Sequence, residues 1–419
     1  SIARVGNDAG FDRLINSYSY GGLFRNDMAW FQGDAVRKNP NLKPETTISK
    51  EIGAEVRLLD GRLTADVTYY DKYTRDQIVE SELSYLSNYQ RVIINSGKIS
   101  NKGWEISVSG VPVKVKNFEW KTIFNWSKNN SMVESLPEGI DKIQIGSGVY
   151  NVKSYAEVGK PYGAIYAKTF KRDAEGYILC QLDGSPKEGQ DYEYLGCVQA
   201  DWRGGWNNVF RLGNFSFSVM FDFQKGGKFF SQTSIQSSVD GQSVKSLEGR
   251  DADFFSRKIL GESDEERYGF MRPQNANTPT ANGQIYPDWG RPKGVVLPNC
   301  RYDEDVEGLA GQQVLGYCTP ERYWMHYTSR DISRFIYDAS YVKLREITVS
   351  YDLPKKWLRK TPFQTFRVAA VGRNIATLFA NTPHGLDPQA TSTTGNAQGF
   401  ERGFNLPSAT YGFDIKVSF

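Results

Sequence analysis

Tyr411-Gly-Phe-Asp-Ile-Lys-Val-Ser-Phe419, the last nine residues of the chain, decide how the rest is read. Tyr411, Phe413, Ile415, Val417 and Phe419 share one parity, and Gly412, Asp414, Lys416 and Ser418 the other. Side chains on a strand alternate between faces, so this stretch predicts a strand with one wholly apolar face and one polar face. A tilted strand of about 9–11 residues crosses the hydrocarbon core of a bilayer. The closing aromatic then falls at the depth of an interfacial girdle. Alone, such a strand reads first as one amphipathic strand of a soluble β-sandwich. Its recurrence along the chain favours the membrane.

Upstream, Ile48, Ile52, Ala54, Val56 and Leu58 alternate with polar residues, and Asp60-Gly61 predicts a two-residue hairpin turn. The return strand sets Leu63, Ala65, Val67 and Tyr69 against Thr64, Asp66, Thr68 and Tyr70. Trp104, Ile106 and Val108 begin a second pair, completed by Trp120, Thr122, Phe124 and Trp126, with Ile123 the exception on the polar face. A third pair follows at Trp202–Arg211 and at Phe215, Phe217, Val219, Phe221 and Phe223. In Ala339–Tyr351, Val342 and Leu344 share one parity and Ile347, Val349 and Tyr351 the other, so a β-bulge is predicted near Arg345-Glu346. Phe366, Val368, Ala370 and Gly372 make the strand before the last. The opening residues Ser1-Ile-Ala-Arg-Val-Gly6 look like the end of a strand already under way, and a preceding N-terminal portion is expected.

The connections alternate in length. Short turns fall near residues 60, 116, 213 and 358, and long loops at 7–46, 75–98, 130–200, 227–336 and 380–409. With the C-terminus on the periplasmic side, every short turn is periplasmic and every long loop extracellular. That asymmetry is expected of an all-β, transmembrane, antiparallel up-and-down β-barrel. About ten crossings result, with 130–200 adding an even number or none. A loop as long as 227–336 argues against a compact soluble domain unless it is functional.

Bulk properties agree. The 419 residues carry 51 Lys+Arg and 48 Asp+Glu, a net charge of +3 that gives no polyanion-binding signal. Aromatics reach 14%, while mean hydropathy is only −0.52. No apolar run is long enough for a transmembrane helix, but barrel strands face water on one side and escape that test. No secretory leader is visible in the sequence. Four cysteines, Cys180, Cys197, Cys300 and Cys318, allow three pairings. The sequence-local pairs Cys180–Cys197 and Cys300–Cys318 are expected in an oxidising site, and free thiols otherwise.

Several blocks resemble the SusC/RagA-type TonB-dependent outer-membrane transporters. They are Asn39-Pro-Asn-Leu-Lys-Pro-Glu45, Trp202-Arg-Gly-Gly-Trp-Asn-Asn208, Phe221-Asp-Phe-Gln-Lys-Gly-Gly227, Asp338-Ala-Ser-Tyr-Val-Lys-Leu-Arg-Glu-Ile-Thr348, Gly372-Arg-Asn-Ile-Ala376, Gly385-Leu-Asp-Pro388 and the Tyr411–Phe419 terminus. They follow the family's order and span nearly the whole chain. The resemblance implies that residues 1–419 are the C-terminal part of a 22-stranded barrel. It implies import of glycans or peptides driven through TonB, beneath a SusD-like surface lipoprotein that closes as a lid. The plug, TonB box and N-terminal domain are not found in this sequence. Phe419 resembles the terminal aromatic recognised by the outer-membrane assembly machinery.

No catalytic constellation is present, and neither an enzyme nor a cofactor is expected. His326 and His384 lack a nucleophile at motif spacing, and no Cys-x-x-Cys marks a metal site. Asp303-Glu-Asp305 with Glu307 offers oxygens to a hard cation but lacks EF-hand spacing, and is read as a solvated acidic loop. The aromatics Tyr286, Trp289, Tyr323, Trp324 and Tyr327 are the candidate substrate or lid contacts, since Tyr and Trp offer apolar area with a polar tip. They could equally pack the loop onto itself. Arg367 and Arg373 share the lumen-facing parity, where plug carboxylates are their expected partners. An importer of oligomeric nutrients leads. A surface adhesin without a membrane span and a passive porin are the alternatives.

Overall fold

A computed structural model of the chain describes every residue except 26, 84, 96, 248–294, 319–321, 384, 390–397 and 404–407. Its frame is a ten-stranded antiparallel sheet in which each strand pairs with the next of the sheet in sequence. The wall strands are Ile2–Asn7, Glu45–Leu58, Leu63–Arg75, Lys98–Val115, Phe118–Ser135, Trp202–Leu212, Phe215–Lys225, Tyr341–Asp352, Thr365–Ala380 and Thr410–Ser418. We refer to them as the first to the tenth. The expected up-and-down order and crossing number are both present, and residues 136–201 add no strand to the wall.

Register explains the alternation. Phe210, Phe217, Val349, Ala370 and Phe413 form one row across five strands, and Ser216, Ser350, Ala369 and Asp414 lie in a neighbouring row on the opposite face. The apolar face is open: Phe215 is 57% exposed, Phe217 39% and Phe413 87%. On the polar face Ser350 is 8% exposed and Lys343 5%, while Asp66, Glu105, Asn125 and Arg203 are open to water. A water-soluble sheet covers its apolar face. Aromatic rows left uncovered are what a wall facing hydrocarbon outward requires. Two polar side chains on the apolar face are each satisfied by an indole. Trp120 Nε1 donates to Asn208 Oδ1 at 3.0 Å, and Trp206 Nε1 to Thr122 Oγ1 at 2.9 Å. Gly204 makes room there for the Phe223 ring, which would lie 2.4 Å from an added Cβ.

The hairpin at Asp60 departs from the expected two-residue turn. Leu58 pairs with Leu63, so four residues form the loop, with positive φ at Leu59, Asp60 and Gly61. The predicted bulge is present. Met220 pairs with Glu346 and Phe221 with Leu344, which leaves Arg345 unpaired.

The long connections are not bare loops. Lys142–Ser147, Lys153–Glu157, Ala164–Phe170 and Glu188–Cys197 form a four-stranded sheet. Ile178–Cys180, Val295–Tyr302 and Gln313–Cys318 form another. Lys228–Ser231 leads into the helix Gln232–Val239, whose N-cap Ser231 accepts from the Ser234 amide at 3.1 Å. Among the described residues three apolar cores hold these pieces, one around Phe170, Tyr302, Tyr323 and Trp324, another around Ile165, Phe230, Phe335 and Phe400, and a small one of Ile99, Val133 and Ala156. Glu401 staples the last loop to the helix start: its carboxylate accepts from Ser231 Oγ at 2.6 Å and Thr233 Oγ1 at 2.7 Å.

The sequence-local disulfides do not form, and Cys180, Cys197 and Cys300 are thiols. Cys180 sits in the first core, while Cys197 ends a strand of the other sheet. The register sets Cys300 opposite Val314, and the Cys318 side chain lies outside the described residues.

Phe217 tests the facing. Phe217→Arg is expected to cost about 2–4 kcal/mol in lipid, against little for Ser218→Ala on the opposite face. Denaturant titration in bilayers measures both, and equal effects would contradict the assignment.

Candidate functional site on the inward face of the wall

The polar face presents two rows across neighbouring strands. One runs Asp66, Ser107, Asn125, Gly205, Asp222 and Lys343; the other Thr68, Glu105, Ser127, Arg203, Gln224 and Tyr341. Between them lies a hollow of about 440 Å³ lined by Asp66, Glu105, Asn125, Arg203 and Asp222. A second, of about 400 Å³, opens beside it between Arg203, Gln224, Tyr341 and Gln389. Arg203 lines both; its Nε donates to Gln224 Oε1 at 2.9 Å.

The bulge organises the loop end of this face. Arg345, the extra residue, turns its guanidinium to Asp222 and donates to Asn374 Oδ1 at 2.6 Å and Gln389 Oε1 at 2.7 Å. Asn374 has φ of 51°, a left-handed conformation that Asn tolerates better than most side chains. Next to it, Lys343 Nζ meets both carboxylate oxygens of Asp387 at 2.5 and 2.6 Å and Gln389 Oε1 at 2.9 Å. Gln389 Nε2 donates to the Tyr341 hydroxyl at 2.5 Å. One polar knot thus ties four segments far apart in sequence: Phe221–Gly227, Asp338–Thr348, Gly372–Ala376 and Gly385–Gln389. Arg203, through Gln224, adds a fifth. Such a surface offers charge and hydrogen bonds to a solute or an inner segment, and no nucleophile paired with a base.

Tyr323, Trp324 and Tyr327 lie elsewhere. They occupy a short π-helical segment and are 1%, 2% and 2% exposed within the first loop core. Ligand contact through them needs that core to open. Tyr286, Trp289 and His384 lie outside the described residues, and His326 is exposed. Arg367 grips Asp352 with two hydrogen bonds of 2.6 and 2.8 Å, and Arg373 Nε meets Glu346 Oε2 at 2.9 Å. Both arginines therefore have carboxylate partners within the wall itself. Phe419 is exposed beyond the tenth strand, 5.3 Å edge-on from Phe363.

Asp303 is not a solvated acid. It is 3% exposed, held by Lys171 Nζ at 2.9 Å and Lys187 Nζ at 2.7 Å. Burial pushes its carboxyl up, but the two ammonium groups and the Glu304 amide outweigh that and hold it at about 2. No group of three or more His, Cys, Asp or Glu placed to hold a metal occurs among the described residues.

A family model described as TonB dependent receptor-like, beta-barrel, matches residues 9–151. TonB-dependent receptor P3 of Formosa agariphila is 25% identical over 395 residues, 89% of this chain and 33% of its own length. TonB-dependent receptor SusC of Bacteroides thetaiotaomicron is 29% identical over 104 residues, 25% of this chain and 10% of that protein. The RagAB peptide transporter structure superposes at a TM-score of 0.64 with 16% identity, covering 100% of this chain and 40% of the other. The chain is thus similar to TonB-dependent receptor barrels in sequence and shares their fold. It spans about a third of the length of the P3 receptor. The knot lies on the inward side of this barrel wall, where its four segments meet.

Two outcomes follow from these charges. Lys343→Ala leaves Asp387 unpaired in a sheltered place, and removing one partner of a buried pair costs about 3–5 kcal/mol. The loop at 381–389 is expected to release, raising its protease sensitivity while the wall persists; Lys343→Met with Asp387→Leu restores part of the protection. For Asp303 the folded pKa lies below the unfolded one, so its contribution is present above about pH 4 and lost as pH falls through 2. That contribution is about 2 kcal/mol. Hydrogen exchange of Val295–Tyr302 is expected to rise over that window, and Asp303→Asn to flatten the dependence.

Proposed function

We propose that this chain forms wall and loop cap of an outer-membrane importer of oligomeric nutrients, powered through TonB and working with a SusD-like surface lipoprotein. The uncovered apolar face carries this proposal: a ten-stranded ladder with open aromatic rows on one face and polar rows on the other. Only a hydrocarbon surround makes that arrangement stable. The relatives supply the rest of the support. Glycan and peptide are the two substrate classes, the RagAB structure being that of a peptide transporter. On the inward face, Arg203 and the acidic row at Asp66 and Glu105 are what a passing solute or an inner segment would meet. Tyr286 and Trp289 are proposed as substrate or lid contacts.

Deleting the gene in its own host tests the proposal. Growth on one oligomeric nutrient is expected to fail while growth on its monomer continues, and a TonB-deficient strain should show the same defect. The protein should leave the envelope with detergent and not with high salt. Release by salt, or growth on every oligomer tested, would overturn the importer.

A further inference from the structure

The four-stranded loop sheet has two unlike faces. Ile143, Ala156 and Ile165 are buried on one. The other carries Tyr155, Tyr166, Tyr192 and Tyr194. Tyr166 is central but only 4% exposed, its ring centroid 5.1 Å from Tyr155 and 5.7 Å from Tyr194, and Lys160 Nζ lies 5.1 Å from it and 4.5 Å from that of Tyr194. Lysines lie over these rings. Lys142 Nζ is 5.4 and 5.3 Å from the centroids of Tyr155 and Tyr166, and Lys153 Nζ is 4.7 Å from that of Tyr192.

Several other loop cations are neutralised: Lys171 and Lys187 by Asp303, Lys228 by Asp338, Arg301 by Asp173 and Glu175. On this face Lys160 takes Glu157 at 3.0 Å. Lys142 and Lys153 make no ion pair among the described residues and rest on tyrosine alone. A ring face attracts an ammonium by roughly 0.5–1 kcal/mol at an exposed site but leaves its charge and donors in place. In register, Lys142 opposes Glu157, and Lys153 lies four residues further along that strand. The strand rise sets the two positions about 13 Å apart, a span that suits a chain of repeated charges better than one small anion.

We propose that this face is a subsite for an anionic oligosaccharide, with carboxylate or sulfate-ester groups on Lys142 and Lys153 and sugar rings against the tyrosines. Charge complementarity selects an anion. The exposed tyrosine selects a sugar: Tyr194 is 41% exposed and offers apolar area with a hydroxyl tip, flanked by the half-buried Tyr155 and Tyr192. A peptide recognised by strand pairing needs free backbone groups, and a sheet face has none to offer. The subsite names the substrate class for the importer proposed above and rests on that proposal for its purpose, while its binding is measurable without transport.

The intact protein in detergent is titrated with an oligogalacturonate, a neutral maltodextrin and a polyglutamate peptide. Oligogalacturonate should bind, weaken with added salt, and lose about tenfold or more in affinity in the Lys142→Gln/Lys153→Gln variant. Tyr194→Ala should weaken it too. Unchanged circular dichroism and heat-modifiable migration confirm that the variants fold. Equal affinity in the lysine variant would overturn the subsite. So would tighter lysine-dependent binding of polyglutamate or of lipopolysaccharide vesicles, or equal binding of maltodextrin. Growth is scored separately: binding without uptake counts against the importer, and uptake without binding against the subsite.

Discussion

Backbone hydrogen bonding inside hydrocarbon is the constraint on which the rest depends. No water reaches that depth, so each amide and carbonyl of a wall strand must be met by the strands beside it. The ten-stranded ladder does this for the eight strands that have a neighbour on both sides, each fixed by its neighbours' register. Side chains are then free to obey the two solvents. The aromatic rows need no protein cover, which is why a chain with 14% aromatics has so negative a mean hydropathy. The same rule reaches side chains. Thr122 and Asn208 face outward, and each is tied to an indole that a neighbouring strand supplies.

The bulge at Arg345 is where register becomes a site. Without an extra residue the eighth strand would keep one parity throughout, and Lys343 and Glu346 could not both face inward. Turning Lys343 to oil would cost roughly 2–4 kcal/mol at mid-bilayer. The insertion resets the parity, so Tyr341 and Lys343 join Glu346, Thr348 and Ser350 on one face. It also leaves Arg345 unpaired and free to reach Asp222, Asn374 and Gln389. A defect in the ladder thus supplies the centre of the polar knot.

The wall was legible because hydrocarbon imposes alternation. Every expected strand exists, and the bulge shows in the switch from Val342 and Leu344 to Ile347 and Val349. Strand ends were less legible. The fourth and fifth wall strands continue through Lys98–Gly103 and Lys128–Ser135, where alternation is lost. The loop sheets stayed hidden for a related reason. Ala164–Phe170 has six of seven residues buried, with Lys168 the half-buried seventh, so it reads as a run rather than an alternation. The knot was visible only as separate blocks. Nothing local in Lys343 or Asp387 announces a partner 44 positions away. The Asp303 ion pairs, made across 132 and 116 positions, were equally out of reach.

The loop assembly and the wall are one mechanical unit at the end of the seventh strand. Gly226 and Gly227, with φ of 73° and 83°, turn the chain from wall to loop in a conformation that other residues rarely adopt. An added Cβ at Gly226 would fall 2.4 Å from Asp201. The Gly226 amide donates to Ser340 Oγ at 2.8 Å and the Ala339 amide to the Gly227 carbonyl at 2.9 Å, joining this turn to the start of the eighth strand. Asp338 completes the junction. Burial raises its carboxyl, but Ser340, Asn381 and Lys228 outweigh that and hold it at about 2. The eighth strand therefore carries the loop junction at its start and the bulge four residues later. Arg345 and Lys343 thus sit within seven residues of Asp338, so one short stretch of chain holds both the knot and the junction that joins wall to cap.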